Sequence, residues 1–204
     1  MILSIISIGL LISLVYICRT YIFLSTPENL KVYPQFIEPY DAEHLIKLAN
    51  DIGFKRSTVN GDNNESQISP NRTSQSVSLQ DDDPIVTKIK EKVSHLLKCD
   101  INKIEQLQVV RYQHGEEYQA HYDADKFIRR PHTILVYLNT LDPGDGGHTI
   151  FVKKNLKVAP VSTNAVYFKN LLDNGSIDPD SLHAGEPILR EGVIKYALNI
   201  WIKE

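Results

Sequence analysis

Hydrophobic and polar positions along the chain fall into three successive patterns. The first is uniform: no charged side chain occurs from Ile2 to Cys18, and apolar character resumes from Tyr21 to Leu24 after Arg19. Twenty-odd helical residues at about 1.5 Å each cover roughly 30 Å, enough for a bilayer core. Residues 1–24 are therefore expected to form a transmembrane anchor. Nothing basic precedes the run, and bulky Tyr16, Ile17, Tyr21 and Ile22 occupy the region where a signal peptide would be cut, which favours an uncleaved anchor. A short polar link is expected over 25–33.

The second pattern has helical spacing. After an opening strand at Val32–Ile37, Leu45, Ile46, Leu48, Ala49 and Ile52 share one helix face, with Asp41 as N-cap and Gly53 as stop. Asp83 and Pro84 open a second helix with Ile85, Val86, Ile89, Val93, Leu96 and Leu97 in register. Between them, Ser57 to Gln80 is polar throughout, either a long mobile loop or two short strands with loose turns. The third pattern has period two. Leu107–Tyr112, Thr133–Leu138, His148–Val152, Ala165–Phe168 and Tyr196–Ile202 read as strands, separated by clusters such as Asp142 to Gly147. Helices first and strands afterwards predict an α+β domain over 34–204, built on an antiparallel sandwich or jelly roll with flanking N-terminal helices.

Composition adds bounds. A chain of 204 residues with 42% hydrophobic content can bury one sizeable core. Ten Tyr against one Met and one Trp suit a β-rich domain. A net charge of −3 gives no electrostatic reason to expect nucleic acid, and Lys126, Arg129 and Arg130 form only a small basic cluster. Of the two cysteines, Cys18 lies in the apolar run, so Cys99 has no partner and the domain is not a disulfide scaffold.

The candidate chemistry begins at His121-Tyr122-Asp123. On a strand, residues i and i+2 point to one face and can reach one metal ion; a surface His and Asp would show the same pattern. His183, in Ser181-Leu182-His183-Ala184-Gly185, supplies a third ligand. Two His and one carboxylate form a facial triad that leaves positions open on iron(II) for a chelating co-substrate and dioxygen. The same ligands also suit a zinc-bound water. A 2-oxoglutarate co-substrate would need a buried cation for its far carboxylate. Lys195, in an otherwise apolar closing strand, is a candidate; a solvated edge-strand lysine is the alternative reading.

These residues sit in an ordered series of motifs. Tyr112-Gln113-His114-Gly115-Glu116-Glu117-Tyr118-Gln119-Ala120-His121-Tyr122-Asp123 resembles the Tyr-x-x-Gly-x-x-Tyr-x-x-His-x-Asp signature of prolyl 4-hydroxylases. Thr133 to Asn139, Gly146-Gly147-His148-Thr149-Ile150-Phe151, Ser181 to Pro187 and Lys195 to Trp201 are similar to the segments that follow in that family. The resemblance runs from about Pro34 to Glu204. It implies a double-stranded β-helix in which His121, Asp123 and His183 hold Fe(2+) and Lys195 pairs with 2-oxoglutarate. It also implies that Tyr112 and Tyr137 line the co-substrate pocket, although an inward Tyr is as readily plain core. Arg72, Thr73 and Ser74 would engage an extended peptide from a segment folding over it.

Two departures stand out. Lys195 is twelve positions after His183, further than the family's usual spacing, which leaves Arg190 as a rival. His148 replaces a residue that is commonly acidic. The activity implied is hydroxylation of peptidyl proline in a collagen-like or proline-rich polypeptide, with release of succinate and CO2 and with L-ascorbate as reductant. The competing readings are a dioxygenase of the same superfamily acting on another substrate, and a zinc hydrolase. The resemblance places the catalytic domain in the lumen of the endoplasmic reticulum, as would use of the glycosylation triplets at Asn64, Asn71 and Asn174. Arg19 and Lys31, following the apolar run, argue for the cytosolic side.

Overall fold

The computed structural model describes residues 29–61 and 65–204. In chain order these give β1 (Leu30–Tyr33), α1 (Pro39–Ile52), β2 (Lys55–Arg56), β3 (Val59–Asn60), β4 (Ser66–Gln67), β5 (Gln75–Ser78) and α2 (Pro84–Leu97). There follow β6 (Gln108–Tyr112), β7 (Tyr118–His121), β8 (His132–Tyr137), β9 (Thr149–Phe151), β10 (Leu156–Val158), β11 (Ala165–Lys169), β12 (His183–Gly185) and β13 (Lys195–Ile202). Seven strands form one antiparallel sheet in the order β1-β11-β8-β13-β6-β5-β2, four form a second in the order β10-β9-β12-β7, and β3 pairs with β4. Among the described residues the architecture is mostly β with two α-helices, consistent with a jelly-roll fold.

The period-two pattern explains why the large sheet is buried on both faces. Val109, Ile134, Val136, Leu198 and Ile200 turn towards the helices, where they pack with Leu45 and Ala49 of α1 and Val86, Ile89 and Val93 of α2. Their strand neighbours Val110, Tyr112, Tyr137 and Ala197 turn the other way, towards the small sheet. Residues i and i+1 thus serve two different cores, and the site lies in the second of them.

Helix ends differ in how legible they were. Asp83 caps α2, its carboxylate accepting from the Ile85 and Val86 N–H groups at 2.9 and 3.1 Å. Asp41, expected to cap α1, instead lies inside the first turn, because Pro39 begins the helix and Glu38 holds the cap position. Asp41 accepts from the Glu38 N–H at 3.1 Å and from Lys88 Nζ of α2 at 2.8 Å, tying the helices together. Burial acts to raise the Asp83 pKa, but hydrogen bonds from His44, Val86 and Ile85 outweigh it and hold the carboxyl below its usual value. Its contribution is therefore present above the ordinary carboxylate range and lost as pH falls through the depressed pKa. Asp83→Ala is expected to cost about 1 kcal/mol or more, roughly 2–4 °C in Tm at neutral pH. Thermal melts should show the gap from wild type closing in acid; a gap independent of pH would leave the cap without its charged component.

Two expectations require correction, and a choice left open is decided. Of the expected linker 25–33, Leu30–Tyr33 is the strand β1, paired to β11 with Leu30 fully enclosed. Among the described residues no helix is long and apolar enough to cross a membrane. The two helices have 14 residues each, about 21 Å, and each is amphipathic. The expected single-pass placement in the endoplasmic reticulum membrane is overturned on that ground; the proposed anchor, 1–24, lies outside the described residues. Of the two alternatives for 57–80, a long loop or short strands, the described residues 57–61 and 65–80 take the second. They carry β3, β4 and β5, with β5 pairing to β6 and the Thr73 N–H donating to the Glu117 carbonyl at 2.8 Å. Polar side chains did not prevent this, because the sheet edge satisfies backbone rather than side-chain groups.

Candidate active site

Strand register brings the first two ligands together. In the small sheet β12 pairs antiparallel with β7 so that His183 lies directly opposite His121, and their ring centroids are 4.2 Å apart. Each imidazole is oriented by its own backbone. His121 Nδ1 lies 2.8 Å from the Gln119 carbonyl and His183 Nδ1 lies 2.9 Å from the Ser181 carbonyl. A carbonyl only accepts, so Nδ1 carries the hydrogen in both rings and Nε2 is the atom each ring turns towards the other ligands. Asp123 follows two residues beyond His121, past the end of β7. Its Oδ1 lies 3.6 Å from His121 Nε2 and its Oδ2 lies 3.9 Å from His183 Nε2. The three ligand atoms fall within 4.8 Å of one another.

Electrostatics suits a cation. Burial, and then neighbouring His121, pushes the His183 pKa down to about 4, so the ring is neutral at neutral pH. Burial acts to raise Asp123, but His183, His121 and a hydrogen bond from Thr133 hold its carboxyl well below the usual range. Thr133 Oγ1 donates to Asp123 Oδ2 at 2.8 Å. Two imidazoles and one carboxylate, all converging and with each ring's Nδ1 already engaged, match the donor set of non-haem iron(II).

The cavity between the sheets is lined by this trio and by alternate residues of β13: Lys195, Ala197, Asn199 and Trp201. Lys195 is 3% exposed. It opens β13 opposite Tyr112 of β6, and its Nζ lies 5.3 Å from the Tyr112 ring centroid and 5.5 Å from that of Tyr137. Burial lowers its pKa to about 8, against the opposing charge of Glu186. Tyr112 lines the cavity, and burial raises its pKa. The fully enclosed Tyr137 donates its hydroxyl to Thr149 Oγ1 at 2.8 Å. Gly147 passes over the Lys195 stem at a φ of +73°, a left-handed conformation that favours glycine, and an added Cβ there would also push on Leu141 Cδ1 and Ile188 Cδ1 at 2.8 and 2.9 Å. Arg190 is at the surface, paired with Asp142 and Asp145. His148 bonds Glu186 Oε2 at 2.5 Å through Nδ1, and Glu186 also takes Lys157.

Two features escaped the period-two reading. Tyr118 stacks on His121 with centroids 3.5 Å apart and planes 13° from parallel. Three residues apart, the two should face opposite ways. A register shift sets Gly185 opposite Tyr118 and His183 opposite His121, three residues against two, and this bulge turns both rings to one side. Arg72 lies over the Tyr118 ring at 4.8 Å. It is 7% exposed, and its guanidinium donates to the Thr58 carbonyl at 2.9 Å, Gln108 Oε1 at 3.1 Å and Ser74 Oγ at 3.4 Å. Those bonds leave Arg72 as a support behind Tyr118 rather than a peptide-facing group.

Residues 107–203 match the family model of the 2OG-Fe(II) oxygenase superfamily. The chain is 34% identical over 200 residues to prolyl 4-hydroxylase 2 of Arabidopsis thaliana, covering 84% of this chain and 66% of that protein. It is 30% identical over 186 residues to a protein of Acanthamoeba polyphaga mimivirus that also bears the prolyl 4-hydroxylase name, covering 85% of this chain and 73% of the viral one. The chain thus spans just under two thirds of the length of the plant relatives it matches. In fold it is similar to the crystal structure of the viral collagen prolyl hydroxylase vCPH from Paramecium Bursaria Chlorella virus-1 in its 2OG complex. That TM-score is 0.70, at 23% identity, over 86% of this chain and 96% of the other. Sequence relatives over most of the chain, a fold shared almost end to end and a triad placed where the matching domain lies make this chain a member of the prolyl 4-hydroxylase family within the 2OG-Fe(II) oxygenases.

Proposed function

We propose that the chain is an iron(II)- and 2-oxoglutarate-dependent dioxygenase that hydroxylates proline in a polypeptide. One observation carries the reading: a lysine buried in the same cavity as the open His121–Asp123–His183 trio. A zinc hydrolase would have no use for that cation, whereas a dicarboxylate co-substrate needs it. In this reading His121, Asp123 and His183 hold the ion and Lys195 receives the distal carboxylate. The Tyr112 ring forms part of the wall beside the co-substrate's stem, and Tyr137, fully enclosed, packs with its ring centroid 5.5 Å from Lys195 Nζ. Burial makes both phenols hard to ionise, so neither adds a negative charge beside the dicarboxylate. When bound, the ion would supply the chemistry that divides dioxygen between the two substrates, one oxygen atom oxidising 2-oxoglutarate to succinate and CO2 and the other becoming the hydroxyl of the proline.

The double-stranded β-helix is the finer form of the fold in this reading, with 34–204 as the catalytic domain and β1 as its edge. Family membership supports proline as the target residue, and the viral structural relative is itself named a collagen prolyl hydroxylase. L-ascorbate belongs to the reading as the reductant that keeps the ion ferrous. With the full chain, iron(II), L-ascorbate and a panel of proline-containing peptides, succinate should form in step with hydroxyproline. Succinate formation indifferent to every proline peptide, or activity with zinc and no 2-oxoglutarate, would sink it.

A further inference from the structure

Beside Asp123, running from Thr133 in the cavity wall to Asn170 behind it, two enclosed polar side chains form a line. Thr133 sits on the inner face of β8 and is 2% exposed; Asn170 follows the end of β11 and is 0% exposed. Thr133 Oγ1 lies 2.8 Å from Asp123 Oδ2, and Asn170 Nδ2 lies 2.8 Å from Thr133 Oγ1.

Hydrogen counting gives this line a direction. An ionised carboxylate only accepts, and a hydroxyl has one hydrogen to donate. That hydrogen goes to Asp123, so the Thr133 oxygen must accept, and the Asn170 atom facing it must be the NH2 group. The other end of the amide, Asn170 Oδ1, is buried and accepts no hydrogen bond from the described residues. Unpaired buried acceptors are uncommon in folded proteins. Here one is tolerated where turning the amide over would set a carbonyl against the hydroxyl and compete with Asp123 for its only hydrogen. The Asn170 backbone is also fixed. Its N–H donates to the Pro131 carbonyl at 2.8 Å, and its carbonyl accepts from the Asp178 N–H at 2.8 Å. Asp178 opens the short turn Pro179–Ser181, which leads to the Ser181 carbonyl that orients His183. One residue therefore braces the approaches to two of the three ligands.

We infer that Asn170, acting through Thr133, is a positioning residue for the metal site. It holds Thr133 as a donor to Asp123 Oδ2, so that Asp123 offers the ion a single oxygen, Oδ1. This rests on the proposed iron-binding role of His121, Asp123 and His183.

The test titrates the full chain with cobalt(II) alone and follows its d–d absorption, beside thermal melts of each variant. Wild type should bind one cobalt(II) per chain. Thr133→Val, Asn170→Leu and Asn170→Asp should each weaken binding by about tenfold or more, the usual consequence of removing an outer partner of a ligand, with a changed absorption envelope. Asn170→Asp is informative because it preserves shape while reversing the bond: its carboxylate would draw the Thr133 hydrogen away from Asp123. Thr133→Ser keeps the hydroxyl and should stay within about threefold of wild type, well short of that loss. Adding Asn170→Leu to Thr133→Val should cost cobalt(II) affinity nothing further. Wild-type affinity and spectrum in Asn170→Leu and Asn170→Asp, whatever their melting temperatures, would overturn the inference, as would additive losses in the double variant. If Asn170→Leu does not fold, Asn170→Asp with the Thr133→Val and Thr133→Ser pair decides it alone. A wild type that takes up no cobalt(II) would remove the metal-site reading and this inference with it. A wild type that binds, with variants indistinguishable from it, would remove the inference only.

Discussion

Alanine at His121, Asp123 or His183 should abolish iron binding and turnover, one residue at a time. Each supplies one of three converging donor atoms, and no other group of His, Cys, Asp or Glu among the described residues comes together in this way. Losing an outer-shell partner costs a metal site about ten- to a hundredfold in affinity, and losing a ligand itself should exceed that. Asp123→Ala should be the most severe, since it leaves two neutral imidazoles facing a dication with no compensating charge. His121→Ala should add a second defect, because the ring is also the surface on which Tyr118 stacks. Anaerobic titration with iron(II), with circular dichroism to confirm folding, reads the result directly. An unchanged stoichiometry in any one variant would remove that residue from the site.

How much of this was legible beforehand depends on the distance over which each feature is set. The alternation from Lys195 to Ile202 is local, so both faces of β13 could be assigned from sequence, including a lysine turned inward beside Ala197. The α2 cap at Asp83 is local too. Asp41 misled because a carboxylate near a helix start suits both the cap and the first turn, and only Pro39 separates the two. The pairing of His121 with His183 across 62 positions is not written in either segment; family motifs suggested it, and the sheet register produces it. The bulge that turns Tyr118 onto His121 was hidden for the opposite reason. Strict alternation is the very signal used to read strands, and a bulge breaks it without leaving a mark in composition. Arg72 was legible as a charge but not as a buried one. Its acceptors at Thr58 and Gln108 come from distant segments, and without them an arginine in a polar stretch reads as exposed.

Lys195→Ala should raise the apparent KM for 2-oxoglutarate by roughly ten- to over a hundredfold, with far less effect on iron affinity. The loss corresponds to a charge-assisted hydrogen bond to a carboxylate in an enclosed site, about 1.5–3 kcal/mol. A pH profile provides an independent check, because burial brings the lysine's pKa down to about 8. Only the ammonium form receives the carboxylate, so wild-type affinity for 2-oxoglutarate should be level below pH 8 and fall about tenfold per unit above it. Folding stability should move the other way. Between about 8 and the ordinary 10.5 the unfolded chain binds the proton that the folded chain has released, so the lysine's burial costs less as pH rises through that window. Co-substrate affinity that declines while stability does not is a combination that general alkaline unfolding cannot produce. Lys195→Arg, charged throughout, should flatten the affinity profile even if its larger fork weakens binding overall. If Arg190→Ala instead gives the large rise in KM and Lys195→Ala does not, the carboxylate is held outside the cavity, by a residue now paired with Asp142 and Asp145.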